Sequence, residues 1–249
     1  MIMVAFLLSY VRYVILSVMK KKNKILGKKL LVITAHPDDE SYLAAGTIFR
    51  NYQMGGTNFL VCATYGEKGK SHIKKPITQK SLKFIRKREL QKVKKILHIS
   101  EVLGLNLPDG NLTQHADKMY FRSLMFAKKI KPEVILGFGS DGITGHYDHK
   151  SAGRVARKVA KQLKLPYFAF CLPPKVTKQA LDWLIQKRSV KHYSSSISFD
   201  EPIFRIKINT SIKKRALRCH VSQLENNNIF TGYPDFAVKA LLEVEYFRV

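Results

Sequence analysis

Acidic side chains are scarce in this chain of 249 residues: 18 Asp and Glu stand against 44 Lys and Arg, leaving a formal charge of +26. That balance favours anionic partners, whether nucleic acid, an anionic membrane surface or a phosphorylated or carboxylated substrate. A solvated, Lys-rich surface gives the same count, so charge alone does not choose among them. Cysteine is also sparse. Cys62, Cys171 and Cys219 are odd in number and widely spaced, with no CxxC pair. This excludes a thiolate zinc knuckle and a disulfide framework and fits a reducing compartment. The densest basic run, residues 66–97, holds 12 Lys or Arg against Glu67 and Glu89. It lacks the interleaved aromatics on which bases stack, so no specific nucleic-acid partner is expected. Internal repeats and low-complexity linkers are absent as well.

Residues 1–19 read MIMVAFLLSYVRYVILSVM and are followed by Lys20, Lys21, Lys22 and Lys24. No basic region precedes the apolar stretch and no small-residue cleavage site follows it, which argues against a cleaved signal peptide. Nineteen residues just cross a hydrocarbon core, and Arg12 at mid-segment costs roughly 2.5–3.5 kcal/mol there. A membrane anchor, an interfacial helix on anionic lipid and a start-site extension are the three readings. The expectation is a hydrophobic segment over residues 1–24, with an anionic membrane surface as partner and the lysines on the cytoplasmic side. Without that association the chain is expected to be cytoplasmic.

Apolar residues make up 45% of the chain, enough for one substantial core, and residues 25–249 are expected to form a single catalytic domain. Continuous apolar runs at 29–35, 58–64 and 133–138 are patterned as strands covered on both faces. Further strands are expected at 100–105, 167–172 and 203–208. Helical patterns fall at 38–53, 81–97, 118–130, 151–163, 177–188 and 211–224. Strands alternating with helices predict a three-layer α/β/α Rossmann-like sandwich with a mainly parallel sheet. Sites in such folds form in the crevice at the carboxyl ends of the strands. Two clusters of metal-capable residues fall there: His36-Pro37-Asp38-Asp39-Glu40 after the first strand, and His146-Tyr147-Asp148-His149 after the strand at 133–138.

Pro37 keeps His36 extended and can open a helix at its first position. Both aspartates then sit in a first helical turn and point in different directions. Taken alone, this is equally an Asp-rich helix start, and a lone HxxH pair is weak. Together the clusters offer His and Asp from one strand end and His from another. Three such ligands leave the fourth position of a tetrahedral zinc open for water, as in catalytic sites.

ITAHPDDE with the later GHYDH resembles the LmbE/PIG-L family of zinc-dependent N-acetylglucosaminide deacetylases. TYGEKG, IRKREL, NLPDGNL and CHVSQL are similar to further family segments in the same order, so the resemblance covers roughly residues 29–224. It implies one Zn²⁺ per chain on His36, Asp39 and His149. Asp38 is then the general base, and His146 stabilises the oxyanion as an imidazolium and helps protonate the leaving amine. Asp148 would hold the His146 tautomer, and Arg86 and Asp109 would contact substrate. The implied reaction is hydrolysis of the N-acetyl group of an amino-sugar conjugate. The rest of the conjugate stays open among phosphatidylinositol, malate, inositol and a chitobiose-like sugar.

In the helical pattern 81–97, Glu89 fills the gap in the apolar stripe of Leu82, Ile85, Val93, Ile96 and Leu97. A carboxylate facing a core needs a partner, and Arg86 one turn earlier is an alternative to the substrate role implied for it. His72 is expected in solvent, and His98, His115 and His192 are expected to be structural. His220 has no derived role, and residues 193–196 read as a surface loop. The competing functions are a metal-dependent phosphoesterase and a basic membrane- or nucleic-acid-binding protein with a vestigial metal site.

Overall fold

The computed structural model describes residues 24–186, 201–226, 228–230 and 234–249. The apolar segment 1–19, His192 and the loop 193–196 lie outside them. Among the described residues no helix is long and apolar enough to cross a membrane.

The apolar runs form strands. β1 (Lys29–Thr34), β2 (Thr57–Cys62), β3 (Ile99–Gly104), β4 (Val134–Phe138) and β5 (Tyr167–Cys171) pair in parallel in the order β3-β2-β1-β4-β5. Every residue of β4 and β5, and all of β1 except Lys29, is buried. That is why these segments read as unbroken apolar runs rather than alternating ones. Helices cover both faces. After β1 come α1 (Asp39–Leu43) and α2 (Ala45–Gln53), and after β2 comes α3 (Gln79–Ile96). After β3 and β4 come α4 (Ala116–Ile130) and α5 (Tyr147–Leu163), which pack on each other. The three-layer, mainly parallel sandwich expected from the sequence is the architecture found.

Among the remaining elements, the helix expected at 177–188 and the strand expected at 203–208 are found, and the others depart from expectation. α6 (Pro174–Gln186), β6 (Phe204–Lys207) and α7 (Thr210–Leu217) lead to a short 3-10 turn at Val221–Gln223. The helix expected over 211–224 therefore stops early. Glu89 on α3 accepts from the N–H of Ser222 at 2.7 Å and from its hydroxyl at 2.8 Å, which holds this stretch out of the helix. α8 (Asp235–Glu243) and β7 (Val244–Arg248) were not foreseen. β7 inserts antiparallel between β5 and β6 and completes a seven-stranded sheet.

β7 also explains why the helical pattern 38–53 is broken at Ala44. The carboxylate of Glu245 accepts from the N–H groups of Gly46 (3.0 Å) and Thr47 (2.7 Å), so it caps the first turn of α2. A Cβ on residue 46 would lie 2.3 Å from the side chain of Ile208, so only glycine lets α2 approach this closely. Lys213 of α7 donates to the same carboxylate at 2.9 Å, and both side chains of the pair are 1% exposed. Burial pulls the Lys213 ammonium below its ordinary pKa, against the opposing pull of Glu245. Removing Glu245 leaves that ammonium and two helix N–H groups without their anion. Glu245→Ala is expected to lower unfolding free energy by about 3–5 kcal/mol, as for other broken buried pairs. Urea denaturation measures this, and a loss below about 1 kcal/mol, the level of a surface pair, contradicts the account.

Candidate metal centre

β1 and β4 are neighbours in the sheet, with Leu30, Leu31 and Val32 opposite Val134, Ile135 and Leu136. The strand order reverses between them, so this is the switch point where a parallel sheet opens a crevice. HPDDE leaves β1 on one side, and the loop 139–146 leaves β4 on the other.

Asp39 is the hinge of the first cluster. Its Oδ2 accepts from the N–H groups of Ala35 (3.0 Å) and His36 (2.8 Å), which clamps the carboxylate to the strand end. Its Oδ1 faces His149 Nε2 at 3.3 Å. On the far side, His149 Nδ1 donates to the carbonyl of Gly142 at 3.2 Å, and its ring stacks on Phe138. With Nδ1 so engaged, Nε2 is the atom that faces Asp39, where a metal ion would take the place of the shared proton. His36 places Nε2 3.1 Å from Asp109 Oδ1 and 3.3 Å from Asp148 Oδ2, while its Nδ1 lies 3.8 Å from Asp39. One donor atom from each of His36, Asp39 and His149 lies within 4.8 Å of the others. Ligands about 2.0–2.1 Å from a tetrahedral zinc are spaced roughly 3.3–3.4 Å apart, so the Asp39–His149 separation of 3.3 Å fits a metal.

The electrostatics agree with a cation here. Burial alone would depress His36, but its bonds to Asp109 and Asp148 and the charge of Asp39 outweigh it and raise the ring to about 10. Burial raises Asp39, yet the charge and hydrogen bond of His149, with help from His36, hold it well below the usual carboxylate range. Asp109 is buried, but its bond to His36 carries it down to about 2. Three carboxylates that favour the charged form of an imidazole could hold a divalent cation on the same grounds.

His36, His146 and Asp148 form a second group within the same distance. It fits a metal less well, because Asp148 is already engaged. Its Oδ1 accepts from the N–H of Leu112 (2.9 Å), and its Oδ2 accepts from the N–H of Gly110 (2.7 Å) and meets His36. The hydrogen bond reaching the His146 ring comes instead from the main-chain N–H of Asp148, which donates to Nδ1 at 3.2 Å as a helix cap. The main chain, not the expected carboxylate, thus fixes the tautomer, with Nε2 carrying the proton. Burial, with His149 and His36 nearby, lowers the His146 pKa. That direction favours the neutral ring, which can donate from Nε2.

Arg86 does not pair with Glu89, the partner one turn away. Its side chain is buried, and Nη2 donates to Asp38 Oδ2 at 3.1 Å and to the carbonyl of Pro37, while Nη1 donates to the carbonyl of Gly66 at 2.9 Å. Glu89 is bound to Ser222 rather than to Arg86. Asp38 has a φ of +117°, a conformation non-glycine residues rarely adopt. Arg86 on its carboxylate, Glu40 on its N–H, and the N–H groups of Ser41 and Tyr42 on its carbonyl hold it there. Burial raises the Asp38 pKa, with Arg86 opposing and Asp39 adding to the rise. The guanidinium needs two glycines: a Cβ on Gly66 would sit 2.0 Å from Nη1, and one on Gly69 2.9 Å from it. Asp109 faces His36, and its Oδ2 accepts from the N–H of Lys68 at 2.8 Å.

Two buried contacts behind the site were not legible in the sequence. His220 Nε2 meets Glu40 (3.2 Å) and Ser41 (3.0 Å), where only the CHVSQL match pointed to it. Arg248 of β7 pairs with Asp141 at 2.7 Å, bracing the loop that presents Gly142 to His149. No local pattern joins residues 107 positions apart. Of the histidines expected to be structural, His98 stacks on Tyr52, and His115 lies at the start of α4 without a side-chain cap bond. His72 is half-buried rather than free in solvent, with its N–H bonded to the carbonyl of Ser222.

Residues 31–160, 130 of the 249, match the family model described as PIG-L: GlcNAc-PI de-N-acetylase. A probable N-acetyl-alpha-D-glucosaminyl L-malate deacetylase 2 of Bacillus anthracis is 31% identical over 51% of this chain, a match spanning 56% of that protein. A protein of the same description from Bacillus subtilis (strain 168) is 28% identical over 80% of this chain and 85% of its own length. Among solved structures, N,N'-diacetylchitobiose deacetylase from Pyrococcus horikoshii superimposes with a TM-score of 0.63 at 20% identity, over 89% of this chain and 83% of that one. This last likeness supports the fold.

The geometry makes a binding prediction. Purified protein stripped with chelator is expected to take up one zinc per chain in equilibrium dialysis, and His149→Ala or Asp39→Ala to lose it. Asp148→Asn is expected to retain it, and zinc following Asp148 rather than His149 would move the centre to the second donor group.

Proposed function

The chain belongs to the PIG-L family, and from that premise we propose that it is a zinc-dependent hydrolase that removes the acetyl group from an N-acetylated amino-sugar conjugate. The observation that carries the reading is the donor set of His36, Asp39 and His149 at the β1–β4 crevice, with Asp38 and His146 beside it. Zinc held there supplies Lewis-acid polarisation of an amide carbonyl and activation of water.

The protein's own groups do the rest. Asp38 takes the proton of the attacking water, a task for which a carboxylate raised above its ordinary pKa is suited. Arg86 acts as a positioning residue, holding the Asp38 carboxylate against an unfavourable backbone angle. His146, neutral and bonded at Nδ1, offers its Nε2–H to the carbonyl oxygen as negative charge develops. A neutral imidazole is a weak acid, so the proton for the departing amine is the one Asp38 has gained. Asp109 and Asp148 orient His36 through Nε2.

A phosphoesterase with paired metals fits less well, because the two donor groups share His36 and do not make two separate ion sites. The family description and the Bacillus relatives support an amino-sugar substrate, and they leave the attached group unassigned.

Acetate release from a panel of N-acetylglucosamine conjugates tests the assignment. Asp38→Ala is expected to lower kcat by about 10²–10⁴-fold while zinc content stays at one per chain. Retained turnover in that variant rules out the mechanism. Gly66→Ala, which drives a methyl into the guanidinium, is expected to lower kcat by about 100-fold through misplacement of Asp38, with little change in KM. A rise in KM alone would return Arg86 to the substrate.

A further inference from the structure

Of the cations between residues 66 and 97, the site uses one side chain, Arg86. The outer face of α3 displays Lys80, Lys83, Lys87, Arg88, Lys92 and Lys95, together with Phe84, which is 56% exposed. The helix has a single acid, Glu89, which is buried against Ser222. Among the described residues no carboxylate forms an ion pair with any of those six cations.

A merely solvated face accounts poorly for this arrangement. Lys80 stands in the first turn and Lys83 just beyond it, at the positive end of the helix dipole, where no acid offsets them. Lys83 and Lys87, and Arg88 and Lys92, are like charges four residues apart, a spacing that destabilises an isolated helix. The exposed ring of Phe84 joins Lys87, Arg88, Gln91, Lys92 and Lys95 around a shallow depression of about 500 Å³. α5 provides the contrast. Its Arg154 donates to Ser151, Arg157 lies over the Tyr167 ring and Lys158 over the Tyr120 ring, so these three outer cations are engaged by their own fold. On α3 the comparable contact is Lys87 near Tyr65, at 5.8 Å.

An apolar ring set among unpaired cations matches a surface with negative headgroups above and hydrocarbon just beneath. It does not match single-stranded nucleic acid, which needs successive aromatics. The same chain carries the apolar stretch 1–19 followed by four lysines, a composition suited to the same interface. We propose that the outer face of α3 docks on an anionic lipid surface, with Phe84 entering the headgroup layer and Lys80, Lys83, Lys87, Arg88 and Lys92 contacting phosphate or carboxylate groups. Arg86 on the opposite side of the helix reaches Asp38, so docking leaves the thickness of α3 between the lipid surface and Asp38. The inference stands apart from the hydrolase reading, since vesicle binding needs no turnover.

The test is sedimentation of the full chain with phosphatidylcholine vesicles, with and without phosphatidylserine. Binding is expected only with the anionic lipid. The quadruple variant K83Q/K87Q/R88Q/K92Q is expected to weaken it on the order of 1,000-fold, given what each basic residue contributes near such a surface. Phe84→Ser is expected to weaken it roughly tenfold. The matched variant R154Q/R157Q/K158Q/K161Q removes the same charge from α5 and is expected to leave binding nearly unchanged. Thermal midpoints equal to the parent's show that each variant is folded. Equal loss in both quadruple variants reduces the effect to net charge and overturns the proposal. So does vesicle binding that survives the α3 changes, or binding of a single-stranded oligonucleotide in place of vesicles that depends on the same four residues.

Discussion

The two oxygens of Asp39 do different work, and the centre depends on that division. One oxygen is fixed by the main-chain N–H groups of Ala35 and His36, which places the carboxylate at the tip of β1. The other is thereby aimed at His149, which arrives from the neighbouring strand β4. Because the carboxylate is clamped by backbone rather than by a mobile side chain, the crevice is set by the register of two buried parallel strands. Sheet pairing and site geometry are then one constraint. A slip between β1 and β4 would pull His149 away from Asp39 and leave three carboxylates facing His36.

Around that centre the protein divides roles among chemically similar groups by what stands behind each of them. Asp38 and Asp39 are adjacent, yet Asp39 is held far below the usual carboxylate range and Asp38 is raised. Asp39 lies among His149, His36 and strand N–H groups. Asp38 has one guanidinium against a larger burial cost. His146 and His149 are three residues apart, and both are oriented by main chain. His149 donates from Nδ1 to a carbonyl, while His146 accepts at Nδ1 from an N–H. With a metal in place of the proton shared with Asp39, one imidazole would face the crevice with a lone pair and the other with a proton. The result separates a ligand from a hydrogen-bond donor without any difference in residue type.

The parallel half of the sheet and the two clusters at its edge were legible because both are local. Buried strands announce themselves as apolar runs, and HPDDE and HYDH are short motifs at strand ends. What the sequence concealed depends on contacts made at long range. Glu89 has Arg86 one turn away, and proximity suggested a pair. Its actual partner, Ser222, is 133 residues distant. β7 is short and follows α8 directly, and its insertion between β5 and β6 is visible only once the sheet is assembled. The break at Ala44 has a similar origin, since the carboxylate that caps α2 belongs to Glu245. The bond to the His146 ring comes from main chain rather than from the Asp148 carboxylate, and a main-chain N–H is invisible in a sequence.

The guanidinium of Arg86 occupies space that side chains on residues 66 and 69 would otherwise fill. Those three positions are consequently not free to drift apart over evolutionary time. A lineage that shortens residue 86 opens a hole that larger residues at 66 and 69 can fill. One that enlarges residue 66 first must expel the guanidinium and release the neighbouring aspartate. Correlated change at 66, 69 and 86 across descendants of this chain, with residue 38 altered alongside, would be the lasting imprint of that shared volume.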